Sequence, residues 1–468
     1  METILPDKTR IPLLKLAWPI LVENALRTSL MSVDTFMLSR FSQDAVAAMS
    51  LVNQFAFLMQ LLYTMVSIGA SILITQNLGA GKRREAGLVG ISSLVLIMGF
   101  SLVLSAVVSL VTGPVIAIYR LDPHVALYAR QFLTLYGGLS FFMAFNTAQA
   151  SILRAWGHPR VPMMVNIIAL VLTVSGNALC LFGPFGFPVL GVLGVAASTV
   201  TSQVVACGLY ALIIRRNRDI ELPFAEIRRI PSSVYRAVLA VGVPTASESL
   251  TYNLSQIFIL SMIAGMGTRA LATYGILIAV LRYVFMPGIS IGSAAQIKVG
   301  YYVGAGRQGE AERRVYRYFG AGFLISLVFV ILIKLLEYPI VSLFTQDRQI
   351  VALASTILFI SLAHEPGRNF NTIINPSLKG AGDVRFTVIF AVASIALIAT
   401  FGSWLAGVRL GLGLIGVWAA MCADEWARGL IMTLRWRSGA WKHKRIVGPW
   451  DDAALAAELS SIEQREGV

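Results

Sequence analysis

The feature that most constrains this chain is a succession of twelve apolar runs, each about 20 residues or longer, the length at which a helix crosses a ~30 Å hydrocarbon core. They lie near 11–38, 46–76, 88–119, 126–153, 161–183 and 190–214, and then near 236–266, 270–298, 314–336, 350–379, 384–408 and 412–434. Lipid offers the backbone no hydrogen-bond partner, so runs of this kind fold as helices. Composition leaves little else open. Of 468 residues, 56% are hydrophobic and 13% charged, with a mean hydropathy of +0.73. A soluble globule has roughly a quarter of its residues charged. An all-α membrane protein with twelve transmembrane helices is expected.

Charge placement sets the orientation. The net charge of +14 lies in loops between the runs, the pattern of positive loops kept in the cytoplasm and not that of a nucleic-acid binder. With both termini inside, seven of the 38 basic residues face outward: Arg40, Arg120, Arg130, Arg269, Lys334, Arg348 and Arg409. Four more, Arg27, Arg282, Arg368 and Arg428, lie within spans, and the other 27 face inward. The expected organisation is an N-terminal six-helix lobe (1–214), a cytoplasmic linker (215–235), a C-terminal six-helix lobe (236–440) and a cytoplasmic tail (441–468). The opening METILPDKTR is polar and mixed in charge and does not read as a cleavable signal.

The halves repeat. A step of 225 residues carries Pro19 to Pro244, Glu23 to Glu248, and Ala45-Val-Ala-Ala to Ala270-Leu-Ala-Thr. The same step carries Gly79-Ala-Gly81 to Gly304-Ala-Gly306, Glu85-Ala86 to Glu310-Ala311, and Phe145-Asn-Thr147 to Phe370-Asn-Thr372. It also carries Leu153-Arg-Ala-Trp-Gly157 to Leu378-Lys-Gly-Ala-Gly382. Matches in order without a gap mark a duplication. An even number of helices per half makes these parallel repeats, related by an axis along the bilayer normal, with a cleft that rocking exposes to either side. Duplication that merely enlarges a bundle is the plainer reading.

Several segments together resemble the multidrug and toxic compound extrusion (MATE) family of secondary transporters, over residues 13–437. They are LAWPI at 16–20, SVDTFML at 32–38, ITQNLGAGKRREA at 74–86, ILRAWGHPRVPM at 152–163, FGPFGFPVLGVLGVAAST at 182–199 and PSLKGAGDVRFTV at 376–388. EPGRNFN at 365–371 and ADEWARG at 423–429 resemble a prokaryotic subgroup of it. The resemblance implies a V-shaped, two-lobe, twelve-helix fold in a bacterial inner membrane. It implies a monomer that exports organic, often cationic, compounds in exchange for protons or sodium, with no cofactor beyond that ion. A lipid-linked precursor flippase of the same broad superfamily is the alternative.

An ionisable side chain at the bilayer centre costs at least about 2.5–3.5 kcal/mol, so each one asks for a reason. Six acids fall within or at the ends of spans: Glu23, Asp34, Glu248, Glu365, Asp424 and Glu425. Asp34 ranks first. It follows Glu23 by three helical turns on nearly the same face, with Arg27 between them. A carboxylate in a partly dry cavity is a place where a proton, a sodium ion and a cationic compound compete, although an ion pair near the helix end would be the plainer role. The resemblance puts the first helix's acid in the N-terminal lobe pocket. Its fifth-helix partners would here be Thr173 and Asn177, where a second acid is common, with Thr199 adding an oxygen. The missing acid weakens a sodium site at Asp34 and tilts the expectation toward protons.

The remaining charges read less specifically. Glu23 and Arg27, four residues apart in the favourable order, suit a mutual salt bridge. Glu248 has Tyr252 where that arginine would stand, a place where some family members carry a functional acid. Glu365-Pro-Gly-Arg368 replaces Ser140-Phe-Phe-Met143 of the first half, leaving Arg368 to neutralise Glu365, Glu248 or the Asp424–Glu425 pair. That cluster suits either a structural network at a broken helix or a coupling role. Histidine is the usual proton-relay side chain, so His364 suits a proton relay, or simply a hydrogen bond to its neighbour. Pro19 removes a helix hydrogen bond and is the expected hinge, bending when Asp34 takes a proton.

Other classes fit poorly. NLGAGKRR lacks the first glycine of a P-loop (Gln76 is there) and has Arg83 for Ser/Thr. His124, His158, His364 and His443 are scattered, which argues against an enzyme centre. Cys180, Cys207 and Cys422 sit singly in apolar runs, unlike a disulfide framework or metal site. A flippase cavity for pyrophosphate would favour cations, whereas acids outnumber bases six to four within the spans.

Overall fold

The computed structural model describes residues 7–446 other than 120, 187 and 445. All twelve apolar runs are helical, and no strand occurs among the described residues. The first half contains α1 (Leu13–Phe41), α2 (Gln43–Gly79), α3 (Arg83–Ile118), α4 (Pro123–Phe132), α5 (Phe141–Ala155), α6 (Arg160–Phe182) and α7 (Gly191–Arg216). The second contains α8 (Ser232–Gly265), α9 (Thr268–Gly304), α10 (Gln308–Leu335), the short α11 (Glu337–Ser342), α12 (Arg348–Asn369), α13 (Asn375–Ala381), α14 (Val384–Ser394) and α15 (Gly413–Arg437). The run at 126–153 is two helices, α4 and α5, joined through a π-helical turn at Leu133–Gly137. The run at 350–379 is likewise α12 and α13 joined through a π turn at Phe370–Ile374, and α14 continues in π geometry through Ile395–Phe401 and Trp404–Arg409.

The duplication reaches the helix ends. The step of 225 carries both ends of α2, Gln43 and Gly79, onto those of α9, Thr268 and Gly304. It also carries Asp122, whose carboxylate accepts from the His124 amide to cap α4, onto Asp347, which caps α12 through the Gln349 amide. Such caps satisfy an amide the helix leaves open. Between α6 and α7 the step shortens. Leu190-Gly191 and Gly194-Val195 correspond to Leu412-Gly413 and Gly416-Val417, a step of 222.

Among the described residues, eight helical segments are long and apolar enough to cross a membrane by themselves. Those that fall short include α1, α8 and α15, which carry Glu23, Arg27 and Asp34; Glu248; and Asp424, Glu425 and Arg428. The spans weakest in hydropathy are thus those holding most of the candidate acids.

Two compact units emerge among the described residues. One comprises Trp18–Ile74 and Lys82–Val243, the other the segment up to Ala17, Thr75–Gly81 and the chain from Pro244 onward. The division falls inside α1 beside Pro19 and inside α8 at Pro244, the repeat mate of Pro19. The N-terminal unit has an apolar core of Met37, Leu38, Val52, Phe132, Leu181 and Val195 among others. That of the C-terminal unit includes Ile259, Leu277, Val330, Ile357, Trp418 and Met421. Of the tail expected at 441–468, residues 447–468 lie outside the described residues; its start packs firmly, with the Trp441 indole stacked on Trp436 at 4.1 Å.

Candidate functional site

In the N-terminal unit, α1 and α6 bring Asp34 and Asn177 together. The Asn177 Nδ2 donates to Asp34 Oδ1 at 2.9 Å, and the Asn177 Oδ1 is buried without a partner. Asp34 is half-buried, and no cationic side chain pairs with it among the described residues. Thr173 and Thr199 do not reach Asp34. The Thr173 hydroxyl lies 2.8 Å from Ser202 Oγ and 2.9 Å from the Ala169 carbonyl, while Thr199 donates to Val195 O at 2.9 Å. They belong instead to a hydroxyl seam between α6 and α7 that includes Ser198, which donates to Thr173 O at 3.1 Å.

The expected Glu23–Arg27 salt bridge does not form. Arg27 is exposed, and Arg154 at the end of α5 donates to both oxygens of Glu23, at 2.9 and 3.0 Å. A same-helix pair on a solvated face gains only about 0.3–0.5 kcal/mol. A partner from another helix, partly shielded from water, gains more from the lower dielectric. In the C-terminal unit, the repeat mates do the same. Lys379 pairs with Glu248 at 2.8 Å, and Asn375 donates to the other Glu248 oxygen at 2.9 Å. Glu248 is therefore not the partner of Arg368.

Arg368 instead joins Glu365 to Glu425, at 3.3 and 3.5 Å. Arg428 lies 2.7 Å from Asp424 and 3.2 Å from Glu425, so the three carboxylates Glu365, Asp424 and Glu425 of α12 and α15 are cross-linked by two guanidiniums. Ser394 donates to Asp424 Oδ1 at 2.6 Å, and Asn371 of the π turn donates to Glu425 Oε2 at 2.6 Å. His364 Nδ1 sits 3.0 Å from Glu365 Oε1. Tyr252 of α8 is near enough to feel the charges of Arg368 and Glu425. Helix α12 does not break at Pro366-Gly367. The helix runs through to Asn369 and widens only afterwards, while Gly367 leaves room for Trp426, whose indole N–H donates to Ala363 O at 3.0 Å.

The repeat exposes the chemistry. By the step of 222, Gln203 corresponds to Glu425, Ser202 to Asp424 and Ala206 to Arg428. In the N-terminal unit, Asn146 makes the contact that Asn371 makes in the C-terminal unit, with its Nδ2 2.8 Å from Gln203 Oε1 and 2.9 Å from Gln203 O. One polar scaffold is thus neutral in one unit and charged in the other. The residues missed from sequence are Arg154, Lys379, Asn371, Asn375 and Ser394. The repeat step, which links Arg154 to Lys379 as it links Glu23 to Glu248, was the signal for the first two.

Comparisons with known proteins agree with this architecture. The MatE family model matches residues 19–179 and again 244–405, one match in each half. The chain is 36% identical to the uncharacterized transporter YisQ of Bacillus subtilis, over 94% of this chain and 97% of that protein. It is 27% identical to the "probable multidrug resistance protein NorM" of Thermotoga maritima, over 94% of each. A solved outward-facing structure of a multidrug resistance MATE family transporter superposes with a TM-score of 0.82 at 19% identity, covering 93% of this chain and 97% of that one.

Proposed function

This chain belongs to the MatE family of efflux transporters, a multi-pass helical membrane protein, and we propose that it is a secondary active antiporter exporting organic, often cationic, compounds in exchange for protons or sodium. The observation that carries the reading is Asp34: an acid inside a span whose partner is a neutral amide. Every other span acid has a cation beside it, so Asp34 is the span acid with no cationic partner among the described residues. A buried charge without a partner is costly. The carboxylate therefore holds a small cation, or a cationic compound, in turn. Asn177 orients it, and its unpartnered Oδ1 offers a second oxygen to whatever is held. Thr173 and Thr199 contribute to the hydroxyl seam of α6 and α7. The multidrug names of relatives such as the Thermotoga protein support the substrate class.

The excess of inward basic residues supports placement in a bacterial inner membrane, with both termini and the linker at 215–235 in the cytoplasm. The six-helix lobes at 1–214 and 236–440 then act as the halves of a monomeric carrier. The driving force suffices. A charge crossing ~100 mV releases about 2.3 kcal/mol, one pH unit adds about 1.4 per proton, and a hundredfold gradient requires about 2.7, so one proton suffices for a neutral compound and two for a monovalent cation, whose exit cancels the voltage contribution of one.

The test is dye export by purified protein in proteoliposomes under a pH or a sodium gradient. Asp34→Asn is expected to lose export at least tenfold under either gradient while remaining folded. Wild-type export by that variant would overturn the reading.

A further inference from the structure

One negative charge is left over inside the C-terminal unit. Glu365, Asp424 and Glu425 face only two guanidiniums, those of Arg368 and Arg428, while Glu248 and Lys379 cancel each other. The three carboxylate residues are 1%, 3% and 5% exposed. A surplus charge so far from water demands a compensating cation.

The oxygens decide which cation. Asp424 spends Oδ1 on Ser394 and Oδ2 on Arg428. Glu425 spends Oε1 on Arg368 and Oε2 on Asn371 and Arg428. Glu365 Oε1 faces Arg368 and His364, which leaves Glu365 Oε2 as the carboxylate oxygen of the three that is buried without a partner. A hard metal cation takes a shell of several oxygens. No group of three His, Cys, Asp or Glu able to hold a metal occurs among the described residues. A proton needs one lone pair, and this centre offers two. His364 Nε2, on a side chain 1% exposed, is buried and unpartnered beside that oxygen's own carboxyl group.

We propose that the His364–Glu365 pair binds a proton, as a second coupling position beside Asp34, and that this position does not accept sodium. Addition forms one N–H or O–H bond, breaks none, and brings the network to neutrality; release restores the surplus negative charge. The groups facing the pair set its surroundings. Arg368 on α12 and Cys422 and Glu425 on α15 face it directly, and Asp424 and Arg428 on α15, Tyr252 and Glu248 on α8 and Tyr274 on α9 surround those in turn. The stretch 319–333 of α10, packed against α12, carries no titratable side chain. Arg368 and Arg428 pair with the other carboxylates, so the proton settles where neither guanidinium satisfies both oxygens.

This inference rests on the antiport reading, and counting protons tests it separately. Proteoliposomes with an internal pH dye would report protons moved per ethidium exported, for wild type, His364→Gln and Glu365→Gln. Both variants are expected to lose one proton per ethidium. Glu365→Gln, which removes the surplus charge, is expected to be at least as heat-stable as wild type. An unchanged ratio in folded variants would overturn the proposal, as would radioactive sodium binding that Glu365→Gln abolishes. A transport-independent count compares Asp34→Asn with Asp34→Asn/Glu365→Gln on acidification in detergent, where the first is expected to take up one proton more than the second; equal uptake would overturn it. Export by Asp34→Asn at the wild-type rate would instead sink the Asp34 reading, leaving this count intact.

Discussion

Arg154 grips both carboxylate oxygens of Glu23 with one nitrogen, and the duplication reproduces the pair as Lys379 and Glu248 in the C-terminal unit. Two repeats that have diverged at most charged positions keep this one, which points to a packing role and not to coupling. Lys379→Met strands Glu248, whose pair side chains are only 10% and 11% exposed, and should cost about 3–5 kcal/mol. Arg154→Met should cost less, about 1–2 kcal/mol, because its pair keeps 23% and 18% exposure and is partly screened. The double variant Glu248→Gln/Lys379→Met should recover most of the loss. Unfolding in detergent measures all three, and a double variant no more stable than Lys379→Met would refute the pairing.

Asn177 is the natural place to change ion choice. It already touches Asp34 at 2.9 Å, so Asn177→Asp would set a second carboxylate against the first. Two facing carboxylates cannot both stay ionised without a cation between them. Sodium-driven dye export is expected to rise several-fold in Asn177→Asp relative to wild type, measured under a sodium gradient at fixed pH. No sodium response would mean that the oxygens around Asp34 do not enclose an ion.

Much of this architecture was legible in the sequence, for identifiable reasons. Hydrophobic runs and a fixed repeat step depend only on local order, and they located the helices, the duplication and the acids. What escaped depends on distance along the chain. The i, i+4 rule offered Arg27 to Glu23 because it sees one helix, whereas the true partner arrives 131 residues later. The π turns at Leu133–Gly137 and Phe370–Ile374 are set by tertiary packing and leave no periodic trace. Thr173 and Thr199 were named by likeness alone, and local hydrogen bonds to their own helices turn them from Asp34.

Pro19 and Pro244 stand where α1 and α8 pass from one compact unit into the other. A proline in a helix interior forfeits a backbone hydrogen bond and costs about 3 kcal/mol relative to alanine, which makes it a place to bend. Pro19→Ala and Pro244→Ala should each slow ethidium export several-fold without lowering the unfolding temperature. Initial rates in proteoliposomes give the answer. Two variants with wild-type rates would remove both prolines from the mechanism.

Gly292 of α9 lies against the π turn at Phe370–Ile374. A Cβ built there would lie 1.6 Å from the Thr372 carbonyl oxygen, inside the π turn that carries Asn371 to Glu425. Its repeat mate is Ser67, and the matching stretch of α5 has no π turn, so the small residue and the widened turn occur together. Because backbone cannot yield as a side chain can, Gly292→Ala must push the turn away from α9 and draw Asn371 off Glu425. The expected loss is about 1–3 kcal/mol or more, as for an overfilled core, with export falling in parallel. Gly275→Ala on the same helix meets open space and should be neutral or stabilising by up to about 1 kcal/mol, since alanine is the better helix former. Equal unfolding temperatures for the two variants would show that the close approach of α9 to the π turn contributes nothing.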